Sequence, residues 1–388
     1  MNIALLPGVF FPQPGGAQVQ THNLANKLVK KGHKVDVLLL NRTNIKNNSY
    51  NIIIINKILL SFVFYLNFLF KINLSFILKI YLKSIIKKNK YDIFHFQLLN
   101  LKTLFLIKVL KELNQKIIVT FQGIDIQIDK KINYGYRLNQ NYERLLLNVL
   151  NDIDLFLSIS KNIKQDLIDL GIKENKIIII PNSVEIDKIS KFENTKNNIE
   201  EKINLITVAR LAEIKKGLDL IPKIAKILYN QNINFEWYLV GHNSTKIKNS
   251  KLMDEYKKKF SFIENIENLN EEYFPHSDLI KIFKKCHIYI NLARIESFGI
   301  TMIESLASNL PVVTFDTIGG NELVIENYNG TIVKEFFPET MAEAIINYHK
   351  NHNLFEKLKN NTFSSIQKYD LNIVTDNTLK IYKDLVSK

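Results

Sequence analysis

Two carboxylates, Glu296 and Glu304, stand eight residues apart on either side of Phe298-Gly299-Ile300. The apolar run His287 to Ala293 leads into this segment, and the pattern after it predicts a helix to about Ser308. Unpaired backbone N–H groups at such a helix start favour a phosphate or a sugar oxygen. Read as eight helical residues, the spacing turns through about 800°, which sets Glu304 two turns along and within about 80° of the starting face. Glu296 could equally cap the loop, and two glutamates at this spacing also arise by chance. Cations come from a second segment, Arg210-Leu211-Ala212-Glu213-Ile214-Lys215-Lys216-Gly217, directly after the strand pattern Asn204 to Ala209. Two cations from this segment converging near Gly299 could neutralise an anionic group. A solvated charge run is the alternative, more for Lys215 than for Arg210.

The elements that must hold these groups alternate in type along the whole chain. Asn2 to Leu6 and Val35 to Leu40 read as strands flanking a helix, with Gly15-Gly16 at its start, where backbone could approach a diphosphate. Tyr91 to Gln97, Lys116 to Gly123, Leu155 to Ser160 and Lys176 to Ile180 continue as strands between helical patterns. Open α/β sheets hold ligands at strand C-terminal ends, which singles out His95 and the group Gln122-Gly123-Ile124-Asp125. Asp125 could contact a sugar or cap its turn; the site reading is preferred. The polar, unpatterned stretch Asp187 to Lys202 reads as a linker, after which the alternation restarts. Phe235 to Gly241, Pro311 to Phe315 and the turn Gly319-Gly320-Asn321-Glu322 follow, and the chain closes on a helix from Leu371 to about Leu385.

The block Glu296-Ser297-Phe298-Gly299 through Glu304, continuing Ser305-Leu306-Ala307-Ser308-Asn309-Leu310-Pro311-Val312-Val313, resembles the E-x7-E block of retaining nucleotide-sugar glycosyltransferases of the "group 1" family (family 4). Ser297 departs from the glycine usual there. Arg210-Leu211 with Lys216-Gly217 is similar to that family's Gly-Arg-Leu and Lys-Gly. Pro181-Asn182-Ser183-Val184-Glu185 resembles its Pro-Asn-Gly-Val-Asp junction, and Thr120-Phe121-Gln122-Gly123-Ile124-Asp125 its Thr-Phe-His-Gly pattern. Gln122 replaces the usual histidine and cannot carry a proton at neutral pH. The segment containing Asn265 is where the family usually has a glycine near the base, so base specificity is not readable.

The resemblance implies an α/β, GT-B architecture of two Rossmann-like domains with parallel sheets facing a cleft. Residues 1–186 would bind the acceptor, 187–202 would link, 203–368 would bind the nucleotide sugar, and 369–388 would cross back as a helix. It also implies catalytic roles for Glu296, Arg210 and Lys216. Donor contacts would come from Gly15, Gly16, Lys215, Phe298, Gly299, Ile300, Glu304, Gly320 and Asn321. Acceptor or sugar contacts would come from His95, Gln122 and Asp125. Glu296 would orient sugar hydroxyls and Glu304 the ribose diol. The expected reaction is retaining sugar transfer from a nucleoside-diphosphate sugar to a glycan or polyprenyl-linked acceptor, in bacterial cell-surface polysaccharide synthesis, without cofactor or metal. The rival readings are a nucleotide-sugar epimerase or phosphorylase on the same fold, and a non-catalytic membrane-associated subunit that keeps the donor pocket.

Composition narrows the remaining choices. The 388 residues carry a formal charge of +14 and one cysteine, Cys286, which excludes an internal disulfide framework and fits a reducing, cytoplasmic setting. The absence of a G-x-G-x-x-G fingerprint, a Walker loop or a Gly-x-Ser-x-Gly motif argues against dinucleotide enzymes, P-loop NTPases and serine hydrolases. Asp152-Ile153-Asp154 precedes a strand and reads as a connecting loop, and His349 and His352 have no third ligand nearby. No nucleic-acid recognition module is present. Between Asp36 and Asp92 there is no carboxylate, while Arg42 and eight lysines from Lys46 to Lys90 fall there. Within that stretch Ile58 to Lys88 reads as one amphipathic helix with a polar stripe at Asn67, Lys71, Ser75, Lys79, Lys83 and Lys87. Its apolar part is too short to span a bilayer. The 57–90 segment is therefore expected to pack on its domain, with its lysines able to meet an anionic membrane at the inner face of the plasma membrane.

Overall fold

A computed structural model describes the whole chain except residues 13–14, 211–213, 243, 245–255, 265–269, 318 and 388. Asn265 and Leu211 to Glu213 thus lie outside the described residues. The chain forms two compact units, Met1–Asn182 with Leu371–Lys388, and Ser183–Asp370.

The first unit is built on a seven-stranded parallel sheet in the order β3-β2-β1-β4-β5-β6-β7. The strands are β1 (Asn2–Pro7), β2 (Lys34–Leu39), β3 (Asn51–Ile54), β4 (Ile93–Gln97), β5 (Ile117–Phe121), β6 (Leu155–Ser158) and β7 (Ile177–Ile179). Central strands such as Ile117–Phe121 are buried at every position, because parallel sheets are covered on both faces and so read as continuous apolar runs. The crossover helices are α1 (Gly16–Lys30), α2 (Lys57–Phe70), α3 (Ser75–Asn89), α4 (Leu101–Lys111), α5 (Gln140–Val149) and α6 (Lys161–Asp169). The C-terminal helix Leu371–Val386 packs against α1, ties Asp376 to Lys31 at 2.7 Å, and receives the Lys116 ammonium on its Leu385 carbonyl at 2.6 Å.

Two expectations need correction here. The segment 58–88 is not one helix: Lys71 adopts φ 58°, ends α2 in a left-handed cap, and α3 starts afresh at Ser75. Its apolar periodicity hides the break, because a single left-handed residue changes direction without changing composition. Nor is 187–202 a free linker. It opens with the short helix α7 (Ile186–Ser190), Ile189 is fully buried, and the Lys196 ammonium donates to the Asn309 carbonyl at 2.9 Å.

The second unit carries a six-stranded parallel sheet in the order β10-β9-β8-β11-β12-β13. Its strands are β8 (Ile203–Val208), β9 (Phe235–Val240), β10 (Phe260–Ile263), β11 (Ile288–Asn291), β12 (Val312–Phe315) and β13 (Gly330–Val333). The helices are α8 (Ile221–Asn230), α9 (Ser277–Phe283), α10 (Ile300–Ala307), α11 (Gly320–Leu323), α12 (Pro338–Lys350) and α13 (His352–Ser365). Trp237, Phe235, Phe315 and Tyr348 fill the core, and the indole N–H of Trp237 donates to the Thr207 hydroxyl at 3.1 Å. Strand order reverses between β8 and β11, and a crevice opens beyond the carboxyl ends of strands at such a switch point. The loops leaving these two strands carry Lys216 and Glu296. Among the described residues no helix is long and apolar enough to cross a membrane, and no group of three His, Cys, Asp or Glu could hold a metal.

Candidate active site

Chain topology, rather than sequence proximity, joins the two charged segments of the second unit. After β8 the chain makes a one-turn 3₁₀ helix, Ile214–Lys216, and reaches Gly217 at φ 69°. A Cβ at Gly217 would lie 1.8 Å from the Leu292 carbonyl oxygen, so only glycine lets this turn touch the loop after β11. The two loops are then sewn together. The Arg294 N–H donates to the Lys215 carbonyl at 2.7 Å, and the Arg294 guanidinium grips both Asp219 oxygens at 2.7 Å each. That guanidinium also lies 5.3 Å from the Phe336 ring centre.

Held in this way, the Lys216 ammonium donates to Glu296 Oε2 at 2.8 Å, with side chains only 19% and 15% exposed. Burial works against the Glu296 charge, but Lys216, then Lys215 and the Phe298 N–H, outweigh it and hold its carboxyl below the usual range. Gly299, at φ 94°, caps α10. The Gly319 turn lies close against the same loop, since a Cβ there would sit 2.2 Å from the Glu296 carbonyl oxygen. The site thus collects Lys215, Lys216, Glu296, Phe298, Gly299, Ile300 and the 319–320 turn. Asn321 joins this turn, but its side-chain amide donates to the Asp316 carboxylate. Arg210 follows β8 and is exposed.

Because α10 begins at Ile300, Glu304 lies about one turn into the helix rather than two. Its residue is 5% exposed, and among the described residues no hydrogen bond reaches its carboxylate. Burial pushes the Glu304 carboxyl up to about 8, with only the Lys188 charge opposing it. A buried acid without a donor is costly unless a ligand supplies one. Both Glu296 and Glu304 act electrostatically on the buried Tyr289 hydroxyl, which itself is 2.6 Å from the Thr301 hydroxyl.

In the first unit, Gly15 precedes α1 with an extended φ of 165°, so no left-handed turn is required there, and Gly16 is the first helical residue. His95 and Asp125, expected to contact acceptor or sugar, are both buried with hydrogen-bond partners inside the first unit. His95 is buried, with Nδ1 2.5 Å from the Tyr382 hydroxyl and Nε2 2.7 Å from the Thr120 hydroxyl. Burial lowers its pKa to about 3, so it stays neutral. Asp125 is fully buried and accepts from the N–H groups of Leu99, Gln122 and Gly123 at 3.0–3.1 Å; it builds the turn. Gln122 is half-buried between the Gln97 and Asn182 amides.

Residues 14–188 match the family model described as "Glycosyltransferase Family 4", and residues 189–365 match "Glycosyl transferases group 1". The chain belongs to the group 1 glycosyltransferases of family 4. An uncharacterized glycosyltransferase of Methanocaldococcus jannaschii is 25% identical over 98% of each chain. The capsular polysaccharide biosynthesis glycosyltransferase CapM of Staphylococcus aureus is 23% identical over 70% of this chain and 71% of its own. The crystal structure of Anabaena HepE in complex with UDP superposes with a TM-score of 0.74 at 13% identity, covering 99% of this chain and 100% of that one. The protein is thus an enzyme with a GT-B fold.

In this glycosyltransferase the Arg294–Asp219 clasp is the feature that motif reading misses, since its partners are 75 residues apart. It ties the loop that carries Glu296 to the loop after β8. Arg294→Ala is expected to lower kcat/KM by about 10–100-fold through misplacement of Glu296. Arg294→Lys should recover only part, because lysine cannot make the paired bonds. The loss should fall on kcat more than on KM; equal kinetics for wild type and Arg294→Ala would show the clasp to be ornamental.

Proposed function

We propose that this enzyme transfers a sugar from a nucleoside-diphosphate sugar, with retention at the anomeric carbon, to a glycan or lipid-linked acceptor in bacterial cell-surface polysaccharide assembly. The observation that carries the reading is the Lys216–Glu296 pair at the head of α10, on the loops leaving β8 and β11 where the strand order reverses. The UDP bound by HepE and the capsular role in the name of CapM support it.

In this reading the glycosidic C1–O bond breaks and its electron pair passes to the diphosphate. Lys216, Arg210 and the Gly299 and Ile300 N–H groups receive the developing negative charge, with Lys215 close behind. Contacts of this kind are worth about 3–4 kcal/mol each when preorganised. Glu296 holds the sugar hydroxyls, and the Glu304 carboxylate accepts from the ribose diol. The acceptor hydroxyl attacks on the face the diphosphate is leaving and gives its proton to a departing phosphate oxygen. That path needs no enzymic nucleophile.

Thermal denaturation with a panel of nucleotide sugars tests the donor half. A donor at about 100 times its Kd adds about 2.7 kcal/mol of stability, so one nucleotide class should raise Tm by several degrees and the others should not. The selected donor is then incubated with and without acceptor, and the anomeric configuration of the product is read by NMR. An axial donor should give an axial product only with acceptor. Sugar isomerised by the enzyme alone would instead mean an epimerase, and an inverted product would rule out retention.

A further inference from the structure

We infer that the α2–α3 hairpin is a docking surface for an anionic lipid bilayer, inserting apolar side chains while its lysines meet the headgroups. Helix α2 is apolar on two faces, and only one is used inside the protein. Leu60, Val63 and Phe64 are buried towards α4, where the Phe64 and Phe105 rings meet edge to face at 5.7 Å. The other face carries Ile58, Phe62 and Leu69, which fall on one stripe at helical spacing. Phe70 at the end of α2 is exposed too, as are Phe76 and Ile80, one turn apart on α3. These six side chains are between 55% and 83% exposed. An unpartnered apolar stripe with further exposed apolar side chains on the paired helix marks an interaction site.

Charge selects the occupant. No aspartate or glutamate lies between Asp36 and Asp92, while Lys71, Lys83, Lys87, Lys88 and Lys90 are exposed on or beside the hairpin. Lys79 is drawn back to Glu112 on the neighbouring α4 terminus, and the Lys57 ammonium donates to the Asn41 side chain at 2.8 Å. A second copy of the chain would bring two carboxylate-free hairpins together, and their lysines would repel. An anionic bilayer satisfies both halves at once, apolar side chains in the acyl boundary and lysines at the phosphates. Helices of 14 and 15 residues lie on such a surface and do not cross it.

Co-sedimentation of the full chain with vesicles of phosphatidylcholine, alone or containing phosphatidylglycerol, tests this. Wild type should pellet with the phosphatidylglycerol vesicles, less so as salt rises, and weakly with phosphatidylcholine alone. Each lysine near the surface is worth about fivefold in partitioning, so replacing Lys83, Lys87 and Lys88 by glutamine should cost on the order of a hundredfold. Leu69→Glu with Phe76→Glu should abolish pelleting without changing Tm or the donor-induced Tm shift, because both side chains are already exposed. Pelleting by either variant equal to wild type, or a wild type that ignores anionic vesicles, overturns the inference. So does light scattering that shows a wild-type dimer dissolved by the Leu69→Glu/Phe76→Glu change. Vesicle binding is read without any sugar donor, so it succeeds or fails independently of the transfer reaction.

Discussion

Glu296→Gln is expected to lower kcat/KM by roughly 10²–10³-fold. The substitution keeps the side chain's size and its ability to accept a hydrogen bond, but removes the charge that Lys216 faces at 2.8 Å. In the proposed reaction, Lys216 would then lose the partner that fixes its position beside the leaving diphosphate, and the sugar hydroxyls would lose a charged acceptor. The pair is partly solvated, at 19% and 15% exposure, so the stability lost should be only about 1–2 kcal/mol. The rate loss therefore exceeds the stability loss, which separates a role in transfer from a role in folding. Steady-state kinetics beside a denaturation curve measure both. Lys216→Ala should cost a similar factor, and the double variant far less than the product of the two, because each single change already disables the same pair. Additive losses would mean that the two residues act separately.

Glu304→Gln is expected to stabilise the free enzyme above neutral pH and to weaken donor binding. The Glu304 carboxyl is raised from 4.5 to about 8 by burial. Between those values the folded protein holds a proton that the unfolded chain has released. The wild type should therefore lose stability as pH rises through this window, and it should not lose it below. Glutamine cannot ionise, so this slope should vanish, and near pH 8 the variant should gain on the order of 2–4 kcal/mol. Ribose hydroxyls that donate to the carboxylate would favour its ionised form, so donor binding should release a proton. Wild-type donor affinity should then climb between pH 6 and about 8, by less than tenfold per unit, and the Glu304→Gln affinity should stay low and flat. Parallel pH dependences of Tm for the two proteins would remove the buried acid from the account.

Most of the scaffold is legible in the sequence because parallel strands buried on both faces leave continuous apolar runs, as at Ile117–Phe121 and Val312–Phe315. The edge strand Asn51–Ile54 is not, since it abuts the apolar run of α2 and nothing in composition divides them. Polar residues at strand ends carry a second meaning that the sequence hides. His95 and Asp125 look like ligand contacts in the sequence, yet their partners Tyr382, Thr120 and the Leu99 N–H satisfy them inside the fold. The helix α1 also hides a polar network, in which His22 Nδ1 meets the Tyr50 hydroxyl at 2.8 Å. At the candidate site, Glu296, Lys216 and Glu304 can be found from motif and spacing. That Lys216 meets Glu296 across 80 residues, with Arg294 and Asp219 fastening the two loops, depends on strand order and on a glycine that admits the contact at position 217.

Titration calorimetry with UDP, GDP and ADP on wild type and Lys216→Ala tests the central claim most directly, that the loops after β8 and β11 together grip a nucleoside diphosphate. One of the three should bind wild type, and Lys216→Ala should bind it at least about tenfold more weakly, the loss of one charge-assisted contact to phosphate. Equal affinity in the two proteins, or no binding of any of the three to wild type, would contradict it.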